Sequence, residues 1–597
     1  MSESTSSAAG VTWDLGDLFA SPDDPRIDET LRQCRDDAEA FAATYRGTIN
    51  VPGGPVPEHL LAGLQRMEDI YDRIGRVGSY AGLLYAADTS NPVHRDLEQK
   101  VEQRTTELRN LLLFFDLEWL ELSDADAAKV AEAPVLAEYR HYLTSERRYR
   151  PHKLSEPEEK VVNEKDVTGR HAWGRLFTEL TSSLSFPVER DGKVQELTLS
   201  QTLALYHEPD RDLRQRAHDA LFDVLERNGQ VLTFTYDTLI QDHLTMDRLR
   251  EYTNPMEPRH LANEVDAESV EQMMRVVEAN YGIAHEYWKL KAKLVNLPKL
   301  VIYDQYAPIG AKAEHYTYDQ ARASILEALG QFSPRFQEIA GRFFDGRWID
   351  AELRKGKRGG AFCASPSPKV HPYILCNYTD NLRDAMTVAH ELGHGIHGYL
   401  SLHQRLVNYH PTLPLAETAS VFSEMLVFDY LVKRVSDPAA QLGLLCGTIE
   451  DTFATVFRQN VLTRFEQAAF EARKSARLTP EKLQDAWIAA NAPYYGDALE
   501  MTPGYRWGWS YIPHFIHTPF YCYSYVFGEL LVLALYGMYR EQGPSFVPEY
   551  TRLLERGGSG SPAELLAPLG VDFRNPEFWQ KGFRELSRLV EWAKSLA

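Results

Sequence analysis

A chain of 597 residues, 44% hydrophobic and 25% charged, has the composition of a globular protein with enough apolar material for a large core. Its net charge of −21 argues against a nucleic-acid partner, because a polyanion is bound by clustered lysine and arginine that displace counterions. Five scattered cysteines (Cys34, Cys363, Cys376, Cys446 and Cys522) with no CxxC spacing argue against a disulfide framework or a cysteine zinc site.

The start, Met-Ser-Glu-Ser-Thr-Ser-Ser, lacks the basic and apolar regions of a signal peptide, and residues 1–12 read as a disordered tail. From Trp13 to about Leu184 the pattern is helical, with apolar residues at three and four spacing over 60–87 and 101–120. Gly and Pro clusters at 51–55 and near Pro157 mark loops. The basic runs at 146–150 and 354–358 read as lying on a solvated face or in a loop. Around 185–199 the periodicity changes to that of a β-hairpin turning at Asp191-Gly192. Helical periodicity resumes at Ser200 and is interrupted by a β-like interval at 361–378 and by the Gly/Ser/Pro stretch 557–562. The fold class is mainly α with a minor sheet. The chain divides into a tail at 1–12, a helical region at 13–199 and a second region at 200–597. No apolar run reaches the roughly 20 residues that span a bilayer. The expectation is a cytoplasmic protein without a membrane partner, monomer or homodimer being left open.

The chemistry-bearing motif is His390-Glu-Leu-Gly-His394. Asn381 is placed to cap a helix, with Asp384 in its first turn. On that helix, positions i and i+4 share a face, so two imidazoles can hold one Zn²⁺. Glu391, offset by one residue, can reach a water there without being a ligand. Gly393, Gly395 and Gly398 crowd one helix and point to a close approach by another element. A catalytic zinc needs a third protein ligand. Glu417 fills that role on an amphipathic helix entered at Pro414, with Ser420 and Glu424 on the same face. Glu424 is placed to take the free N–H of a ligand histidine. His397 reads as structural, and Asp384 as a helix-start charge.

These residues resemble the oligoendopeptidase F group of the thimet oligopeptidase-like zinc peptidases. The likeness rests on the His390–His394 helix, on Glu417-Thr-Ala-Ser-Val-Phe-Ser-Glu424 and on the segment 509–525, Trp-Ser-Tyr-Ile-Pro-His-Phe-Ile-His-Thr-Pro-Phe-Tyr-Cys-Tyr-Ser-Tyr. Segments 13–19, 357–363, 371–378, 556–562 and 575–579 agree, so the likeness spans nearly the whole chain. The resemblance implies a large multi-helix metallopeptidase with a deep channel that admits short peptides and a small sheet beside the zinc helix. It assigns 13–199 to the oligopeptidase F region and 200–597 to the catalytic domain. It also implies one Zn²⁺ per chain on His390, His394 and Glu417, with Glu391 as general base for a water attacking an internal peptide bond. His514, Tyr521, Tyr523 and Tyr525 are the candidates for holding substrate and the tetrahedral intermediate. His517 departs from the family, whose members often carry an aromatic there. Cys363 and Cys522 read as packing or wall residues. The main chain of 371–378 is expected to pair with an extended peptide. The competing readings are a related carboxypeptidase and a non-catalytic peptide-binding protein.

Overall fold

The structure, a computed structural model, describes residues 6–310 and 315–597. It is mainly helical and forms two compact units, Met1–Arg150, Lys312–Arg434 and Met538–Asp572 in the first, and Pro151–Ala311, Val435–Gly537 and Phe573–Ala597 in the second. The sequence suggests one cut near 199/200, whereas the compact units alternate along the chain.

In the first unit, helix starts carry their own signals. Pro25–Tyr45 follows Asp24, whose carboxylate accepts a hydrogen bond from the Arg26 N–H. Pro92–Glu121 follows Asn91, whose side chain accepts from the Val93 N–H. Proline opens both helices, where a missing N–H costs nothing. With Pro57–Ala87 these helices enclose a core of Phe41, Leu64, Met67, Phe115 and Trp119. Residues 354–358 form a loop, and both basic runs also make internal contacts. Arg147 donates to the Trp119 carbonyl and pairs with Asp124. Arg354 and Lys357 converge on buried Asp350 at 2.7 and 2.6 Å. The residues 6–12 expected in a disordered tail are instead fastened, while 1–5 lie outside the described residues. Ser6 Oγ donates to the Tyr378 carbonyl at 2.7 Å, Ser7 N donates to the Asp380 carboxylate at 2.9 Å, and Ala8 is buried.

The sheet of this unit has three strands in the order Ile349–Asp350, Tyr373–Leu375, Phe362–Ala364. Ile374 is opposite Ile349 in the parallel pair and opposite Cys363 in the antiparallel one. The peptide-pairing edge expected at 371–378 is therefore corrected: Tyr373–Leu375 is the central strand, and its hydrogen-bonding edges are taken from both sides. The outer edge belongs to Phe362–Ala364. The sheet packs on the helix Leu382–Leu400.

In the second unit, the hairpin pairs Phe186–Arg190 with Lys193–Leu197. Asp191 and Gly192 both have positive φ, 55° and 73°, the conformation an Asp-Gly turn supplies. The helices Tyr281–Leu294, Pro438–Thr455, Phe457–Ser475 and Pro480–Tyr495 enclose an aromatic core that includes Trp288, Phe453, Phe457 and Tyr494. One stretch, Cys522–Glu555, is long and apolar enough to cross a membrane by length and composition only. Its most apolar window is 83% buried inside the protein, so its hydropathy is accounted for by packing.

Candidate metal centre

The site helix Leu382–Leu400 begins where the Asn381 side chain accepts from the Asp384 N–H at 3.0 Å. The Asp384 carboxylate turns back to the Asn381 amide and Thr379, so it serves the helix start. One turn apart, His390 and His394 present their Nε2 atoms to the same oxygen. Glu417 Oε2 lies 3.3 Å from one and 3.4 Å from the other. The three donor atoms all lie within 4.8 Å of one another.

Glu417 does not sit within a helix, as the Pro414 pattern suggested. It caps the four-residue helix Leu413–Ala416, and the next helix starts at Ser420. The reason is a close crossing. A Cβ on Gly393 would stand 2.3 Å from the Ala419 carbonyl oxygen, so only glycine lets the 417–419 turn rest on the site helix. Ser420 Oγ donates to Glu417 Oε2 at 2.6 Å, and Tyr550 OH donates to the Thr418 carbonyl at 2.7 Å. Glu424, on the helix Ser420–Val432, accepts from His390 Nδ1 at 3.2 Å. That bond orients the ring so that Nε2 is the nitrogen directed at the Glu417 oxygen.

Electrostatics follow from this crowding. Burial works to lower the His390 pKa, but the hydrogen bonds to Glu417 and Glu424 outweigh it and hold it well above the ordinary value. Burial works to raise that of Glu417, yet His390 and His394 hold it well below the carboxylate range. The cluster thus favours positive charge at its centre, which a divalent cation supplies. Glu391 is 7% exposed, its pKa raised by burial against the opposing pull of both histidines. Its Oε2 has no hydrogen-bond partner among the described residues. A buried carboxylate oxygen without a partner is costly, and here it points to a ligand of the site. Two imidazole nitrogens, one carboxylate oxygen and this adjacent carboxylate fit a catalytic zinc centre. They line a cavity of about 430 Å³ with Cys363, His397, Tyr409 and His410. His397 is buried, its pKa pushed down to about 3 chiefly by burial, and it contributes no atom to the three-donor set.

The four C-terminal candidates all lie in the second unit and separate into two kinds. His514, Tyr521 and Tyr525 form a half-buried ring cluster. His514 stacks on Tyr521 with centroids 5.8 Å apart, and its Nε2 lies 3.4 Å from the Tyr525 hydroxyl. Tyr523 is fully buried, its hydroxyl receiving a bond from Asn263 at 2.9 Å and sharing one with His260 at 3.0 Å. Cys522 is buried as well. His517 is exposed and meets Thr178 Oγ1 at 3.2 Å. The turn ahead of these tyrosines is held by buried Glu466, which accepts from the Phe520 N–H at 2.9 Å. Phe520 itself has φ of 57°. Sequence reasoning placed Phe362–Ala364 in a β-like interval and Cys363 among packing or wall residues, but it passed over Tyr409 and His410. The only signal for the last two was a His-Pro pair shortly before Pro414, with no periodicity to mark it.

The sequence profile of Peptidase family M3 matches residues 204–585, and that of Oligopeptidase F matches 118–186. The chain belongs to peptidase family M3. It is a metalloendopeptidase, a hydrolase whose substrates are peptides. Among relatives of this M3 peptidase, Oligopeptidase PepF of Bacillus subtilis is 27% identical over 95% of this chain and 84% of its own length. Group B oligopeptidase PepB of Streptococcus agalactiae is 28% identical over 97% and 96%. In fold, the M3 chain matches a solved Chlamydophila abortus protein with a TM-score of 0.86, at 24% identity over 98% of each chain. It also matches oligoendopeptidase-F from Enterococcus faecium with a TM-score of 0.72, at 24% identity over 96% and 98%.

Proposed function

We propose that this M3 peptidase is a zinc-dependent endopeptidase that cuts internal bonds of short oligopeptides in the cytoplasm. His390, His394 and Glu417 hold one Zn²⁺, and Glu391 is the general base. The observation that carries the reading is the convergence of two imidazole Nε2 atoms on Glu417 Oε2 beside the partnerless, buried Glu391 Oε2. Bound there, zinc supplies Lewis-acid polarisation and lowers the pKa of water.

The chain's own groups do the rest. Glu391, its proton affinity raised by burial, takes a proton from the attacking water and passes it to the leaving amine nitrogen. Glu424 fixes the orientation of His390. His514, Tyr521 and Tyr525 carry donors suited to the developing oxyanion and the substrate main chain, while Tyr523 packs the core. The outer edge of Phe362–Ala364, on the metal-site cavity wall, offers main-chain groups to an extended peptide. That mode of recognition favours short, unfolded chains. Five free cysteines support a reducing compartment.

The test is hydrolysis of a short internally quenched peptide, with zinc content measured by mass spectrometry. The expected result is one zinc per chain, internal cleavage, loss on chelation and recovery with added zinc. Activity that survives metal removal, or release of single C-terminal residues only, would overturn the reading.

A further inference from the structure

The second unit holds a cavity of about 630 Å³ whose lining includes none of the metal ligands just described. Its wall includes Phe177, Tyr206, Tyr306, Tyr505, Tyr511 and Arg458, and no aspartate or glutamate. The chain carries 85 acidic residues against 64 lysines and arginines, yet this wall has none of the carboxylates.

Arg458 is the second residue of the helix Phe457–Ser475 and is half-buried. It makes no hydrogen bond or ion pair among the described residues. Three other arginines enclosed in this unit are matched, while Arg259 makes no ion pair among the described residues and lies over the Tyr521 ring at 5.6 Å. Arg214 meets Asp304 at 2.9 Å, Arg464 meets Glu271 and Glu278 at 2.7 and 2.6 Å, and Arg473 meets Asp237 at 2.7 Å. A guanidinium held in a cavity wall without a protein acceptor has no compensation there for the water it gives up. Arginine at this position therefore calls for an anion from outside the chain.

The rest of the wall agrees. Tyr306, Tyr505 and Tyr511 share the wall with Arg458 and act electrostatically on its guanidinium. The hydroxyls of Tyr306 and Tyr511 make no hydrogen bond among the described residues, leaving two further donors uncommitted. His218 and His514, which also line the cavity, are pushed toward neutrality by burial, His218 to about 4. The fixed positive charge of the cavity is therefore that of Arg458. A planar, five-donor cation with two phenols matches a carboxylate, which accepts at two oxygens.

We propose that this cavity binds a carboxylate of the peptide, with Arg458 as its charged anchor and the Tyr306 and Tyr511 hydroxyls as neutral donors. The carboxylate comes from the peptide C-terminus or from an acidic side chain. The proposal rests on the peptide-hydrolase reading above, which it deepens by assigning a charge preference.

The experiment uses the full, zinc-loaded chain carrying Glu391→Gln, so that binding is read without turnover. Calorimetry compares an N-acetylated peptide of neutral residues with a free C-terminus, its C-terminal amide, and an amidated peptide containing one internal glutamate. At least one acid form should bind about tenfold or more tightly than the neutral amide, as a charge-assisted pair predicts. Which acid form does so identifies the source. Arg458→Met should erase the preference, and Arg458→Lys should retain part of it. Equal binding of all three peptides with Arg458 present would overturn the proposal, as would a preference that survives Arg458→Met in a protein with native circular dichroism. If the Met variant does not fold, the first comparison and the Lys variant still decide. Carboxylate preference without hydrolysis by the Glu391 protein would leave the cavity assigned and remove the peptidase reading. Hydrolysis with no preference would do the reverse.

Discussion

Two polar regions of this protein handle buried charge in opposite ways. Around His390 and His394, carboxylates crowd the imidazoles, so that His390 is pulled toward protonation and Glu417 toward ionisation. In the second unit burial prevails: Glu466 is pushed up to about 8, His218 is pushed down to about 4, and Arg458 keeps its charge with no partner in hand. The first region attracts a cation and the second an anion. A pKa direction is thus a guide to the missing ligand only when the neighbours causing it are named.

The sharpest break of that comparison is Glu391→Gln. It removes the base but none of the three metal donors, so kcat should fall by about 10²–10⁴ with zinc content unchanged. A matching loss of zinc would show that Glu391 belongs to the ligand set instead.

Glu466 tests the other side through stability. Burial raises its folded-state pKa to about 8, opposed by the Phe520 N–H and Arg259. The unfolded value lies near 4.3. Its stabilising contribution is therefore fully present below the unfolded value and is lost as pH rises toward about 8, at no more than about 1.4 kcal/mol per pH unit. Glu466→Gln, which can still accept the Phe520 N–H, should flatten that part of the stability profile in denaturant titrations. An unchanged slope would remove Glu466 as the titrating group.

Glu424→Ala should weaken zinc affinity by about 10–100-fold, measured by competition with a chelator, because His390 loses the acceptor that orients its ring. Gly393→Ala should cost about 1–3 kcal/mol in thermal unfolding, since its Cβ meets the Ala419 backbone. As a control, Gly447→Ala, in a helix with open space around it, should raise stability by about 1 kcal/mol or less.

The same contrast explains what was legible in the sequence. His390, Glu391 and His394 are close in space because a helix repeats every 3.6 residues, so their geometry is written in their spacing. Asn381, Asp191 and Gly192 likewise act on their immediate neighbours. Glu417 was located but misassigned to a helix interior, because the turn it occupies is imposed by a crossing at Gly393 that no local pattern encodes. The central position of Tyr373–Leu375 was missed for the same reason: its second partner, Ile349–Asp350, is remote in sequence and too short to signal a strand. Arg458 was invisible, since the significance of an arginine lies in which carboxylates are absent around it. The tyrosines at 521, 523 and 525 were recognised as a motif. Only the backbone phase of the helix they enter separates the buried Tyr523 from the half-buried other two.

Ser6 and Ser7 grip Tyr378 and Asp380, just ahead of the residue that caps the site helix. Handling of the protein should respect that anchorage. A purification handle or trimming at the amino end pulls on the mooring of the helix that carries His390 and His394. A handle placed after Ala597, an exposed residue following the helix Pro576–Leu596, leaves it undisturbed.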